Sequence, residues 1–442
     1  MTIISAIIVL GVLIFVHELG HFLMAKRAKV GVLKFSLGFG PKLIGIRRRE
    51  TEYLISAIPL GGYVKMIGED PKEDEILRSA QDVERSFSHK PVGARSLIIL
   101  AGPGANFLLA ALIFWAVFAF VGQPTSPTII GKPEAGSPSD LAGLKAKDVI
   151  EAIDGVPVST WDEFQEKVRA SQGKPLKLFV ARGEERFQVL VEPKPVKAKN
   201  VFGEEQEAWD LGVRPFVPAQ IGQALKGHPA DEAGLKAGDR IVAFEGKPVE
   251  GWEELAEAIH RSPGKKVRLT VEREGGRFDV ELVPRPTKQG EQEIGLIGIV
   301  RPTELTYRRV DPVTALYFGV KRTVELTWLV LYSLWKLIQG AIPASTIGGP
   351  LLVAQMAGEQ ARLGILNLLF FTALLSINLG VLNLLPIPIL DGGHLFFAVI
   401  EAVRGRPLTL RTREIAQQIG LVLLVALMIF AFYNDIFRLF GR

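Results

Sequence analysis

The sequence predicts a polytopic α-helical membrane protein: four transmembrane helices, with two α+β domains inserted between the second and third spans. Three observations carry this. Apolar segments at about 2–24, 96–121, 366–390 and 416–433 reach the length that crosses a bilayer. A segment in the middle of the chain occurs twice. Mean hydropathy is +0.25 although 22% of residues are charged, which fits a chain that mixes spans with water-exposed domains.

Composition excludes some classes. The net charge of +5 is modest for 442 residues, and no basic run is interleaved with aromatics, so no nucleic-acid partner is expected. The excess reads as loop bias beside a membrane. Cys is 0, which rules out a disulfide framework and a thiolate metal site. Any metal must be held by His, Asp or Glu.

The first span, residues 1–24, lacks a basic leading region, and no small-residue cleavage site follows Leu23. It reads as a retained helix rather than a removed signal. It carries His17-Glu18-Leu19-Gly20-His21. Two histidines four apart share one helix face, where both imidazoles can reach one metal. Glu18 is then placed to take a proton from an attacking water. Ionisable side chains inside a span are costly and usually functional.

Residues 25–95 form a basic loop holding Lys26, Arg27, Lys29, Lys34, Lys42 and Arg47-Arg48-Arg49. The loop between the third and fourth spans holds Arg404, Arg406, Arg411 and Arg413. The positive-inside rule puts both loops in the cytoplasm, and both termini and the middle region, about 123–310, on the outer face. Within the first loop, Thr51–Gly68 alternates apolar residues and contains Pro59-Leu60-Gly61-Gly62. This predicts a membrane-associated hairpin whose edge, at Gly61 and Gly62, takes an extended substrate as an added strand. The second span follows at 96–122.

The repeat matches Ser137-Pro138-Ser139-Asp140-Leu141-Ala142-Gly143-Leu144 with His228-Pro229-Ala230-Asp231-Glu232-Ala233-Gly234-Leu235, and Trp161 with Trp252. Each copy reads as a short helix, a strand, a turn, a second helix and β-branched strands such as Leu176–Ala181 and Val267–Val271. The two domains are expected at 123–194 and 208–286. Pro193–Ala208, charged and aperiodic, reads as a linker. Residues 303–345 are apolar but interrupted by Lys321, Arg322, Glu325 and Lys336 at helical spacing, predicting an amphipathic helix on the membrane surface. The third and fourth spans are expected at 366–390 and 416–435.

A catalytic zinc takes three protein ligands and keeps one open position. The best source for the third is the run from Asn383 to His394. Asp391 is a carboxylate at the end of an apolar segment, where it needs a cation or a partner. Pro386 and Pro388 break the helix, and irregular backbone at membrane depth must be buried or line a polar cavity. His394 is a rival ligand. Asp391 is preferred, with His394 in a supporting or interfacial place.

The motifs His17–His21, Phe35-Ser36-Leu37-Gly38-Phe39-Gly40, Pro59–Met66, Ala101-Gly102-Pro103-Gly104-Ala105-Asn106 and Asn383–His394 together resemble the site-2 protease family of intramembrane metalloproteases, in its bacterial regulator-of-sigma-E branch. The resemblance covers essentially the whole chain. It implies one Zn2+ bound by His17, His21 and Asp391, with Glu18 as general base and Asn383 holding substrate near the metal. It implies that the duplicated domains are PDZ-like, and that Leu211-Gly212-Val213 is a loop whose amides receive a peptide carboxylate. The implied substrate is a membrane helix of another protein, such as an anti-sigma factor or a remnant signal peptide. The implied location is the bacterial inner membrane, with both termini and the PDZ-like domains outside. A membrane-anchored PDZ scaffold with a degenerate metal site is the alternative; an intact Glu18 argues against it. Lys147 departs from the repeated pattern, which has Gly238 in the second copy, and is expected to alter that turn.

Overall fold

The structure, a computed structural model, describes residues 2–69, 80–200, 202–289, 292–301 and 306–440. The chain divides into two compact units, Met1–Gln123 with Arg309–Arg442, and Pro124–Arg308.

In the first unit, α1 (Thr2–Arg27) packs against α2 (Val92–Phe120). Their backbones approach closely because small residues line the seam, as in other helix pairs in lipid. A Cβ at Gly20 would overlap the Ala101 carbonyl, and one at Gly102 would overlap the His21 ring. Away from the seam α1 exposes Ile3, Ile4 and Leu23, the condition of a helix whose solvent is lipid.

Between these helices lie β1 (Val32–Arg48) and β2 (Thr51–Met66). The expected hairpin at 51–68 is therefore the second half of a larger element that begins at Val32. Lys34–Leu37 pairs with residues 62–65 and also with residues 52–55. Such curling needs sharp bends, which Gly38 and Gly40 supply at φ +94 and +87. Phe35 anchors the sheet on α1, 5.9 Å from Phe15 and 5.3 Å from Phe22, ring centre to ring centre.

The second unit holds the duplicated domains. In the first copy a short helix α3 (Pro138–Leu141) leads to β3 (Val149–Ile153), β4 (Val156–Pro157), α4 (Trp161–Ala170), β5 (Leu176–Arg182) and β6 (Glu185–Val191). The sheet is antiparallel in the order β4-β3-β5-β6. The segment expected as a linker is instead a hairpin, β7 (Lys194–Lys199) paired with β8 (Glu205–Asp210). Its alternation is weak because both faces are largely solvated, which is why the sequence pattern reads as a linker. After it, Leu211 and Val213 return to the first core. The first domain thus runs past its expected end at 194.

The second copy repeats the plan with α5 (Pro229–Glu232), β9 (Arg240–Phe244), β10 (Lys247–Pro248), α6 (Trp252–His260), β11 (Val267–Arg273) and β12 (Gly276–Leu282) in the order β10-β9-β11-β12. A second hairpin follows, β13 (Arg285–Gln289) with β14 (Gln292–Leu296), and Ile297 closes that core beyond the expected boundary at 286. Lys147 does not alter its turn. It keeps the left-handed conformation at φ +72, matching Gly238 at φ +92. The strain of about 1–2 kcal/mol for a side chain there is accompanied by an ion pair from Lys147 Nζ to Glu250 at 2.9 Å.

Returning to the first unit, α7 (Pro312–Ile338) is capped by Asp311, which accepts from the amides of Val313 and Thr314. It is the helix expected within 303–345; residues 303–305 lie outside the described ones. Gly319 sits against the backbone of Ala111 and Trp115 of α2, and Trp115 Nε1 donates to the Pro312 carbonyl at 3.1 Å. Next, α8 (Pro350–Leu363) and α9 (Ile365–Asn383) are separated by Gly364 at φ +120. The third span ends at Asn383 rather than 390, because the turns carrying Pro386 and Pro388 cannot continue it. Asp391 therefore opens a new helix, α10 (Asp391–Arg404), and α11 (Leu410–Phe440) is the last. Among the described residues α1, α2, α9 and α11 are long and apolar enough to span a membrane.

The two copies share one internal tie. Arg182 forks onto Asp148 and the Gly143 carbonyl, and Arg273 forks onto Asp239 and the Gly234 carbonyl. Asp239 is 1% exposed. Burial works to raise its pKa, but hydrogen bonds from Arg273 and the Lys236 amide outweigh it and hold the carboxyl below its ordinary range. A depressed folded-state pKa means the stabilisation is present above the unfolded value, about 3.9, and is lost as pH falls through the folded value. Asp239→Asn should therefore cost ~1–3 kcal/mol at pH 7. It should also flatten the second domain's loss of stability below about pH 4, read by thermal unfolding across a pH series.

Candidate metal centre

Three side chains from two helices of the first unit converge. His17 and His21 come from one face of α1, and Asp391 from the first residue of α10. His17 Nε2 lies 3.1 Å from Asp391 Oδ2, His21 Nε2 lies 3.4 Å from the same oxygen, and the two Nε2 atoms are 3.2 Å apart. Two donors bound at about 2.0–2.1 Å with near-tetrahedral angles stand roughly 3.3 Å apart. The triangle therefore fits the zinc that His, His and Asp favour. Asp391 Oδ2 is buried without a hydrogen-bond donor, which a cation would answer.

Each ligand is positioned by identifiable chemistry. His21 Nδ1 is 2.8 Å from the Ile98 carbonyl. A carbonyl only accepts, so Nδ1 carries the proton and Nε2 keeps its lone pair. The neighbouring Ile99 carbonyl is the one that Pro103, with no N–H, leaves without its helical donor. The Asp391 end depends on its glycines: a Cβ at Gly392 would overlap the Leu384 and Leu385 carbonyls, and one at Gly393 the Ile387 carbonyl. The N-terminus of α10 also favours the Asp391 negative charge.

Glu18 lies on the neighbouring face of α1, against β2. A Cβ at Gly62 would come within 2.9 Å of Glu18 Cγ, so this strand passes the carboxylate at backbone distance. Gly61, expected beside it in substrate binding, packs on the Phe39 ring instead. Asn383, the last residue of α9, brings Nδ2 within 3.4 Å of His17 Nε2. His394 is exposed and stands outside the cluster, against Phe397.

Leu211, Gly212 and Val213 belong to the second unit. Leu211 and Val213 are core residues there. The Gly212 amide already donates to Asp210 Oδ1 at 3.0 Å, and Arg214 Nη1 binds the other carboxylate oxygen at 2.7 Å. Sequence reading gave no individual role to Gly102, the Ile98 carbonyl or Asn106. The signal available was Gly-Pro-Gly-Ala-Asn inside an apolar span, where Gly, Pro and Asn are poor helix formers.

A profile of peptidase family M50 matches residues 5–427. The chain is 37% identical over 461 residues to the regulator of sigma-E protease RseP of Escherichia coli, covering 98% of each chain. It is 36% identical over 457 residues to protease RseP of Yersinia pestis, again covering 98% of each. It is also 36% identical, over the full length of both chains, to a Neisseria meningitidis protein provisionally named a zinc metalloprotease.

Zinc content separates the two candidates for third ligand. Asp391→Ala should lose zinc affinity by more than about 100-fold, because a direct ligand matters at least as much as its supports. His394→Ala should keep zinc near one per chain. Elemental analysis after dialysis against a weak chelator reads both.

Proposed function

The chain belongs to peptidase family M50 and is a zinc-dependent intramembrane protease, and from that premise we propose that His17, His21 and Asp391 hold the zinc and Glu18 is its general base. The observation that carries the assignment is the 3.1–3.4 Å triangle of donor atoms with Glu18 on the adjoining turn. Zinc, when bound, acidifies water and polarises the scissile carbonyl. Glu18 accepts the proton of the attacking water and returns it to the departing amine. Asn383 offers an amide N–H beside His17 to the substrate carbonyl.

The substrate is proposed to be a transmembrane helix of another protein. Its backbone is satisfied internally and must unwind locally before a bond is exposed. The curled sheet supports such unwinding: Gly62 is next to Glu18, so a segment added along that edge would gain backbone hydrogen bonds close to the base. Two of the relatives are named regulator of sigma-E protease, and together with the resemblance drawn from the motifs this makes an anti-sigma factor of a stress response the first substrate to try, with remnant signal peptides second.

The proposed setting is the bacterial inner membrane, with the basic loops 25–95 and 404–413 in the cytoplasm and the termini outside. The duplicated domains, read as PDZ-like, then lie outside, and residues 303–345 along the membrane surface. A site near the cytoplasmic end of α1 leaves these domains no catalytic part. Because Asp210 already occupies the Gly212 amide, a steric filter is favoured over capture of a peptide carboxylate by Leu211-Gly212-Val213.

Glu18→Gln should retain zinc and lower cleavage of a transmembrane peptide by roughly 10²–10⁴-fold. Wild-type turnover by that variant, purified and zinc-loaded, would end the assignment of the base. The filter is tested by deletion. Strands Gln123–Thr125 and Thr306–Arg308 pair at the two ends of the inserted unit, so a short linker can replace 126–305. The shortened protein should cleave substrates with bulky outer domains that the full chain rejects. A drop in cleavage of every substrate would favour recruitment instead.

A further inference from the structure

Asn106 is wholly buried on α2, in contact with the metal cluster, and has no part in the mechanism above. Its Nδ2 is placed 3.1 Å from His17 Nδ1, and its Oδ1 is buried without a partner. Its backbone carbonyl accepts from Ser376 Oγ of α9 at 2.7 Å, so the residue is pinned between two spans and cannot drift away from the ring.

The imidazole decides how the Asn106 amide must face. His17 Nε2 points at Asp391 Oδ2 and His21 Nε2. If it is a ligand there, as proposed above, its lone pair must be free and the ring proton must sit on Nδ1. An Nδ1–H facing an amide NH2 sets donor against donor. The oxygen and nitrogen of a carboxamide are interchangeable in shape, and their assignment follows from the hydrogen-bond network. Either orientation leaves one amide atom unpaired, so that count does not choose between them. Asn383 does not take the proton either: its amide atom stands 3.5 Å from Nδ1 and 3.4 Å from Nε2, beside both ring nitrogens and not in line with the Nδ1–H bond, whichever way the amide faces.

We propose that Asn106 is a positioning residue whose Oδ1 accepts the proton of His17 Nδ1, fixing the tautomer that presents Nε2 to the metal. His21 then has the same support from the Ile98 carbonyl, and both come from α2. This rests on the reading of His17 as a ligand. A buried unpaired amide atom is retained in the span because its other atom is needed at the ring.

The test uses the full chain in detergent, labelled with 15N-histidine, and compares wild type with Asn106→Asp and Asn106→Leu. Zinc affinity is measured by chelator competition. Asn106→Asp keeps an acceptor at His17 and should bind zinc at least as tightly as wild type. Asn106→Leu has similar size without an acceptor and should weaken binding 10- to 100-fold, the usual range for such supports. Equal zinc affinity in wild type and Asn106→Leu, or an equal loss in both variants, overturns the proposal. The 15N spectrum of the unmodified wild-type chain gives a reading that does not depend on either Asn106 variant folding. Its His17 resonance, assigned by its loss in His17→Gln, should show a protonated Nδ1 without zinc as well as with it; protonation at Nε2 without zinc overturns the proposal. His17→Gln also separates the two readings: if it keeps zinc, the ligand assignment has failed; if it loses zinc while Asn106→Leu does not, only the role of Asn106 has failed.

Discussion

Two imidazoles and a carboxylate at membrane depth converge on one point, and the first unit is built around that convergence. A charged group at the centre of a bilayer costs about 2.5–3.5 kcal/mol even on insertion scales. Asp391 stands within 3.4 Å of both histidines, where a cation held by all three would offset that cost. The approach is possible only where helices lack side chains. Gly20 and Gly102 let α1 lie on α2, and Gly392 with Gly393 lets the broken turn fold against the start of α10. Small residues that read in isolation as weak helix formers are the spacing elements of the centre.

The inserted unit obeys different rules. Its two copies carry complete, separate cores and the same buried carboxylate clamped by an arginine fork. Water supplies the driving force there, so each copy folds by burying its own apolar faces. Duplication leaves room for divergence on the surface: Lys147 holds a glycine conformation and reaches across to Glu250.

Much of this was legible in the sequence. Long apolar runs gave four spans, since length and composition alone mark a helix in lipid. His17, His21 and Asp391 were legible because ionisable residues stand out against such runs. The repeat exposed the domains through its Asp-x-Ala-Gly-Leu pattern. Three things were not legible. Half the residues of strands Lys194–Lys199 and Glu205–Asp210 are charged, so the strand period had no continuous apolar face to show the hairpin. The end of α9 at Asn383 depends on how two prolines bend a short turn, which periodicity does not resolve. Asn106 could be seen as part of a motif, but its role depends on a proton on His17, and that follows only from what the ring faces on its far side.

The distance in sequence between the histidines and Asp391 has a consequence for biosynthesis. His17 and His21 are made about 370 residues before Asp391. Later still comes Asp435, whose carboxylate receives the amides of Gly349, Leu351 and Leu352 at the start of α8. A nascent chain therefore holds two of the three groups while the inserted unit and α9, the third spanning helix among the described residues, are still to be made. The order of the chain withholds the carboxylate that completes the triangle until those elements have been added.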